Sequence, residues 1–143
     1  MSQISKNRVF SSKQPTVLVV DPDPFVGRII RNILQEEQIN VILTKDSSEA
    51  MAALRTGKHV DLIVSEWLLP NCSGQQLALK ARKRRPRLNT VFVSALYNVI
   101  LPRLECAQAE GLQKPFAPEE LLSLIAPHLQ PRREDLAQKK WSA

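Results

Sequence analysis

Short apolar runs alternate with amphipathic stretches from Thr16 to about Leu129, and each run predicts an element. Thr16–Asp21 (TVLVVD) is continuous and rich in β-branched residues, which predicts a strand buried on both faces. Asp23 followed by Pro24 reads as an N-cap and a first helical position, and Phe25, Ile29, Ile30, Ile33 and Leu34 then recur at helical spacing. Ile39–Leu43 predicts a second strand. Asp46, Ser47, Ser48 and Glu49 have capping-box spacing and open a helix to about Leu54, which Gly57 closes.

The alternation continues with a third strand at Asp61–Ser65 and a helix from Gly74 to about Arg84 that stops before Pro86. Thr90–Ser94 (TVFVS) predicts a fourth strand. Residues 98–109 predict a helix with Pro102 in its first turn or at a kink. Gly111–Gln113 predicts a short fifth strand. Pro118 starts a last helix carrying Leu121, Leu122, Leu124 and Ile125, and Pro131 opens a polar tail.

Short buried strands alternating with helices imply a parallel sheet covered on both faces. Right-handed crossovers leave few topologies. The expectation is a doubly wound α/β domain, flavodoxin-like, with five strands in the order 2-1-3-4-5. Its functional crevice would lie beyond the carboxyl ends of the strands at the switch point. Three units are expected: an N-terminal arm at 1–14, one domain at 15–130, and a basic tail or linker start at 131–143.

Composition narrows the classes. A chain of 143 residues with 43% hydrophobic content can bury one full core. No run of about 18 apolar residues could span a membrane. The polar start at Met1–Gln14 lacks the apolar centre of a secretory signal. Two distant cysteines, Cys72 and Cys106, fit reduced thiols, so a cytoplasmic location is expected. The absence of GxGxxG and GxxxxGK excludes the usual nucleotide loops. His59 and His128 have no second ligand or nucleophile at useful spacing.

The formal charge of +6 sits mostly at the ends, with +3 in residues 1–15, +2 in residues 131–143 and +1 between them. The internal run Arg82-Lys83-Arg84-Arg85-Pro86-Arg87 could meet phosphates. The favoured reading is a solvated helix end, where cations complement the helix dipole.

The candidate chemistry gathers at strand ends. Asp21 and Asp23 follow the first strand, Glu66 the third, Ser94 the fourth and Lys114 the fifth. Carboxylates, a hydroxyl and an ammonium around one crevice suit phosphoryl transfer, in which carboxylates hold Mg²⁺ and a lysine neutralises the transferred oxygens.

VLVVDPDP, DLIVSEWLLPNCSG, VFVSA and KPFAPEEL, in that order and spacing, resemble the signatures of response-regulator receiver domains over roughly residues 16–129. The resemblance implies a phosphorelay module of two-component signalling, not an enzyme, that takes a phosphoryl group on an aspartate. At that position this chain has Glu66. The resemblance also implies two adjacent acids ending the first strand; here Asp21 is followed by Pro22, and Asp23 lies one residue further on. Ser94 and Lys114 match the hydroxyl and lysine that contact phosphate. An aromatic is implied near Gly111 or Leu112, and neither is one.

Glutamate carries its carboxylate about 1.5 Å further out, one C–C bond. Misplacement by about 1 Å can cost roughly a hundredfold in a positioned reaction. Asp21 and Glu66 are the metal-ligand candidates, and with Pro22 contributing no carboxylate Mg²⁺ is expected to bind weakly. Glu66 is expected to pair with Lys114 without phosphate, in a partly exposed bridge. A phosphomimic and a degenerate site both fit Glu66. The expectation is a pseudo-receiver acting through protein contact or as a homodimer, using the face from about Tyr97 to Leu129, with a histidine kinase or a downstream output domain as partner. The alternatives are an atypical receiver that is still phosphorylated, a flavodoxin-like enzyme or ligand binder, and a nucleic-acid binder using the basic run; nucleic acid is disfavoured because no aromatics interleave it.

Overall fold

The computed structural model describes residues 14–100 and 110–129. The expected arm at 1–14 therefore falls almost wholly outside the described residues. So do the continuation of the 98–109 helix past Ile100, Cys106 and the tail at 131–143.

Five parallel strands form one sheet: β1 (Thr16–Val20), β2 (Asn40–Thr44), β3 (Leu62–Ser65), β4 (Asn89–Ser94) and β5 (Glu110–Gln113). Their order is β2-β1-β3-β4-β5, the doubly wound arrangement expected from the sequence. The helices are α1 (Pro24–Glu36), α2 (Ser47–Arg55), α3 (Gly74–Arg84), α4 (Tyr97–Ile100) and α5 (Pro118–Ile125), which ends in a 3₁₀ turn at Ala126–Leu129.

The period-2 pleat of the strands divides the core in two. Val17, Val19, Leu62, Val64, Val91 and Val93 face one layer with Ile30, Leu34, Leu121 and Ile125. Leu18, Val20 and Ile63 face the other with Ala50, Leu54, Leu77 and Ala81. β1 and β3 are thus buried on both faces, which is why they read as unbroken apolar runs.

The ends of the helices have identifiable causes. The Asp23 carboxylate accepts from the Phe25 N–H at 2.9 Å, and Pro24 starts α1. Asp46 accepts from the Glu49 N–H at 2.8 Å, while Glu49 reaches back to the Lys45 N–H. Gly57 takes φ +81 just past α2, the left-handed geometry that ends helices and that glycine adopts without strain. A reciprocal capping box between Ser73 and Gln76, not anticipated from the sequence, starts α3.

Candidate functional site

The last rungs of the sheet set the site. The Asp21 N–H donates to the Thr44 carbonyl at 3.1 Å, the Glu66 N–H to the Val20 carbonyl at 2.9 Å, and the Lys114 N–H to the Ser94 carbonyl at 3.0 Å. Each bond extends a ladder one residue beyond its strand. The side chains of Asp21, Glu66 and Lys114 therefore leave the same edge of the sheet.

They meet there. The Lys114 ammonium donates to Asp21 Oδ2 at 2.7 Å and to Glu66 Oε1 at 3.2 Å. The side chains retain only 16% exposure at Lys114, 3% at Asp21 and 12% at Glu66. The Glu66–Lys114 bridge is therefore largely buried, not partly exposed as the sequence led us to expect. The reason is that Lys114 leans across the crevice to Asp21, and Asp21 lies below the rim.

The two remaining carboxylate oxygens are also engaged. Asp21 Oδ1 accepts from the Asp23 N–H at 2.9 Å. Glu66 Oε2 accepts from the Trp67 N–H at 2.5 Å and the Leu68 N–H at 3.1 Å. The extra methylene of glutamate lets the carboxylate curl back onto its own loop. Burial works to lower the Lys114 pKa, but the hydrogen bond and charge of Asp21, joined by those of Glu66, outweigh it. The ammonium is held above the ordinary lysine value.

The other two candidates are used differently. Asp23 is exposed, and its carboxylate caps α1 instead of facing Lys114. Ser94 is buried, and its hydroxyl oxygen accepts from the Leu96 N–H at 3.2 Å, which shapes the turn after β4. The donor set suits a divalent cation poorly: Pro22 has no side-chain oxygen, and the oxygens of Asp21 and Glu66 are spent on an ammonium and on amides. Among the described residues, no group of three or more His, Cys, Asp and Glu side chains could hold a metal ion.

The loop after Glu66 is rigidly built. Trp67 meets Phe92 edge-on, with ring centroids 5.0 Å apart. The Gly74 N–H donates to the Trp67 carbonyl at 2.7 Å, and Leu68 pairs with Ser73 in a single bridge. A Cβ on Gly74 would lie 2.7 Å from the Glu66 carbonyl oxygen and 2.9 Å from Phe92 Cε1, so close approach explains the glycine. Trp67 thus packs inward as part of the loop.

The basic run is partly structural. Arg85 donates to the Leu54 carbonyl at 2.7 Å and the Lys58 carbonyl at 2.6 Å, closing the C-terminal end of α2. Arg82 donates to Asn89 Oδ1 at 2.8 Å and to the Leu88 carbonyl at 3.3 Å. Sequence reasoning also passed over Tyr97 and Gln113. Tyr97 packs on Gly111, and Gln113 spans the turn after β4. The signal for Tyr97 was the missing side chain at Gly111 itself.

Comparison with known proteins agrees with this fold. The sequence profile described as the response regulator receiver domain matches residues 17–126. The chain is similar to the uncharacterized transcriptional regulatory protein YbdJ of Bacillus subtilis, with 31% identity over 74% of this chain and 47% of that protein. It is similar to the probable transcriptional regulatory protein TcrX of Mycobacterium tuberculosis, with 32% identity over 75% of this chain and 46% of that protein. The chain thus spans about half the length of these curated relatives. Among solved structures, the non-phosphorylated HemR receiver domain from Leptospira biflexa superposes with TM-score 0.71 at 28% identity, covering 84% of this chain and 98% of that one.

Proposed function

This chain belongs to the response regulator receiver domain family, and from that premise we propose that it is a pseudo-receiver: a signalling module whose phosphoacceptor position is closed from within and which acts by protein contact. The observation that carries this reading is the commitment of every carboxylate oxygen at the site. Asp21 is divided between Lys114 and the Asp23 amide, and Glu66 between Lys114 and its own loop. A phosphoryl group entering the crevice would have to displace Lys114 from both acids.

In this reading Glu66 is the equivalent of the acceptor, Asp21 the surviving acid, and Lys114 an internal cation taking the place of a transferred phosphoryl group's partner. Asp21 and Glu66 bind Mg²⁺ weakly, because Mg²⁺ demands near-octahedral oxygen geometry and must compete with an ammonium. Ser94 and Asp23 support the turn and helix beside the site. The receiver unit is residues 15–130, with 1–14 an arm and 131–143 a tail or linker start. The module works in the cytoplasm, and a histidine kinase or an output domain is its partner class. The partner face is the one running from about Tyr97 to Leu129, where Leu96 and Val99 at its edge are exposed apolar side chains.

Incubation with a small phosphodonor and Mg²⁺, followed by intact mass, tests the reading. The expected result is no phosphoryl adduct at neutral pH; a stable adduct would overturn it.

A further inference from the structure

The start of α4 is fastened to β5 by a contact that depends on the absence of a side chain. Gly111 pairs with Phe92 in the β4–β5 ladder. A Cβ built on Gly111 would lie 2.5 Å from the Phe92 carbonyl oxygen and 2.7 Å from Tyr97 Cδ2, with Tyr97 Cε2 nearer still. The Tyr97 ring therefore fills the volume that a β5 side chain would otherwise need.

Gln113, two residues along the same strand, reinforces the contact. Its side-chain oxygen, Oε1, accepts from the Asn98 N–H at 2.8 Å. Its side-chain nitrogen, Nε2, donates to the Ala95 carbonyl, and to the Lys114 carbonyl at 3.3 Å. The same turn is tied to β4 through the Leu96 N–H on Ser94 Oγ. Leu96 and Val99, which flank Tyr97, are exposed apolar side chains.

We propose that Tyr97 is a positioning residue: its ring, seated over Gly111 and backed by Gln113, latches the start of α4 to β5 and fixes the turn and first helical residues that carry Leu96 and Val99. The latch needs no occupant at Asp21, Glu66 and Lys114, because its contacts lie among β4, β5, α4 and the turns beside them and use only the backbone carbonyl of Lys114.

Amide hydrogen exchange on the intact chain tests it. Tyr97→Ala and Gly111→Ala each remove the seating, one by deleting the ring and the other by expelling it. Both are expected to speed exchange at Asn98 and Val99 by about tenfold or more, as local opening does. The buried sheet amides of Val19 and Val64 should stay as protected as in the parent. Tyr97→Phe keeps the ring and should leave all four rates unchanged. If Gly111→Ala loosens the whole sheet, Tyr97→Ala decides alone, since its side chain is only half-buried.

A second readout is independent of exchange. The chain has one tyrosine, so alkaline absorbance follows Tyr97 without interference. Burial and the neighbouring Glu110 charge hold its phenol above the usual tyrosine value, against a hydrogen bond from the Gly111 backbone. Gly111→Ala should bring the titration back toward the ordinary value. Exchange at Asn98 within about twofold of the parent in Tyr97→Ala, or a Tyr97 titration unmoved by Gly111→Ala, would overturn the latch. Phosphoryl uptake by the parent would sink the closed-site reading and leave these measurements untouched, so the two failures are separable.

Discussion

Lys114 stands closer to Asp21 than to Glu66, at 2.7 Å against 3.2 Å, so the cation of the last strand is bound first to the acid of the first strand. The position of Glu66 is then fixed from two sides, by Lys114 on one oxygen and by the Trp67 and Leu68 amides on the other. One ammonium is thus shared by two carboxylates, and it offsets one of their two charges.

Removing the cation should be costly. Lys114→Met keeps the length of the side chain and leaves Asp21 Oδ2 buried without its partner. Stranding a buried charged acceptor costs roughly 1–3 kcal/mol or more. We expect a loss of about 2 kcal/mol in urea unfolding, within what a hydrogen bond to a charged group contributes. Asp21→Asn combined with Lys114→Met should recover part of it. A loss below the scatter of the parent measurements would show that Lys114 is structurally idle.

The alkaline limb of stability should carry the signature of two groups. Lys114 and Tyr97 both have folded-state pKa values raised above 10.5 and 10.0 respectively. A raised folded pKa favours the protonated form in the native state. The stabilisation is therefore fully present below the unfolded values and is lost as pH rises through the folded ones. Urea midpoints should be unaffected by these two groups across neutral pH and should fall above about pH 10. In Lys114→Met the fall should be shallower.

Restoring the phosphorylation chemistry should take two changes. Glu66→Asp shortens the side chain but leaves Pro22 without an oxygen for metal. We expect little or no phosphoryl uptake from a small phosphodonor with Mg²⁺. Glu66→Asp with Pro22→Asp should take up more, and should also bind Mg²⁺ more tightly by titration of Trp67 fluorescence in a Trp141→Phe background, since the chain has two tryptophans. Equal uptake by the single and double variants would show that the metal-directed acid is not what is missing.

Gly74→Ala should strain the loop that holds Glu66. Its Cβ would meet a backbone carbonyl and an aromatic ring, neither of which yields easily. Overpacking of this kind costs about 1–3 kcal/mol. Thermal unfolding should register the loss, and Trp67 emission should shift as its edge contact with Phe92 is disturbed.

Within the basic run, the variants should separate by role. Arg85→Ala removes the donors to two carbonyls at the end of α2 and should cost about 1 kcal/mol. Lys83→Ala, at an exposed position on α3, should change stability by less than about 0.5 kcal/mol. Neither should alter retention on DNA at moderate salt; a salt-sensitive loss of binding in Lys83→Ala would revive the nucleic-acid alternative.

Much of this architecture was legible in the chain because its rules are local or periodic. The buried runs at Thr16–Val20 and Leu62–Ser65, the Asp23–Pro24 start and the Gly57 stop each carry their own signal. The convergence of Asp21, Glu66 and Lys114 followed from strand ends alone. The burial of the bridge was not legible, because it depends on which acid the lysine leans toward. Nor was the self-capping of Glu66 by the amides after it, or the seating of Tyr97 on Gly111. Those are relations between surfaces that no spacing encodes.

Asp21 and Lys114 are separated by 93 positions in sequence, and β5 lies at the far edge of the sheet. Asp21 and Glu66 can come together as soon as β1 and β3 pair, but the ammonium they share arrives only when the final strand docks. A nascent or truncated chain that has reached β4 therefore carries two uncompensated negative charges at the mouth of its sheet. Completion of the domain and arrival of the shared cation are one event, so the crevice cannot be in its native charge state in a chain that is only partly folded.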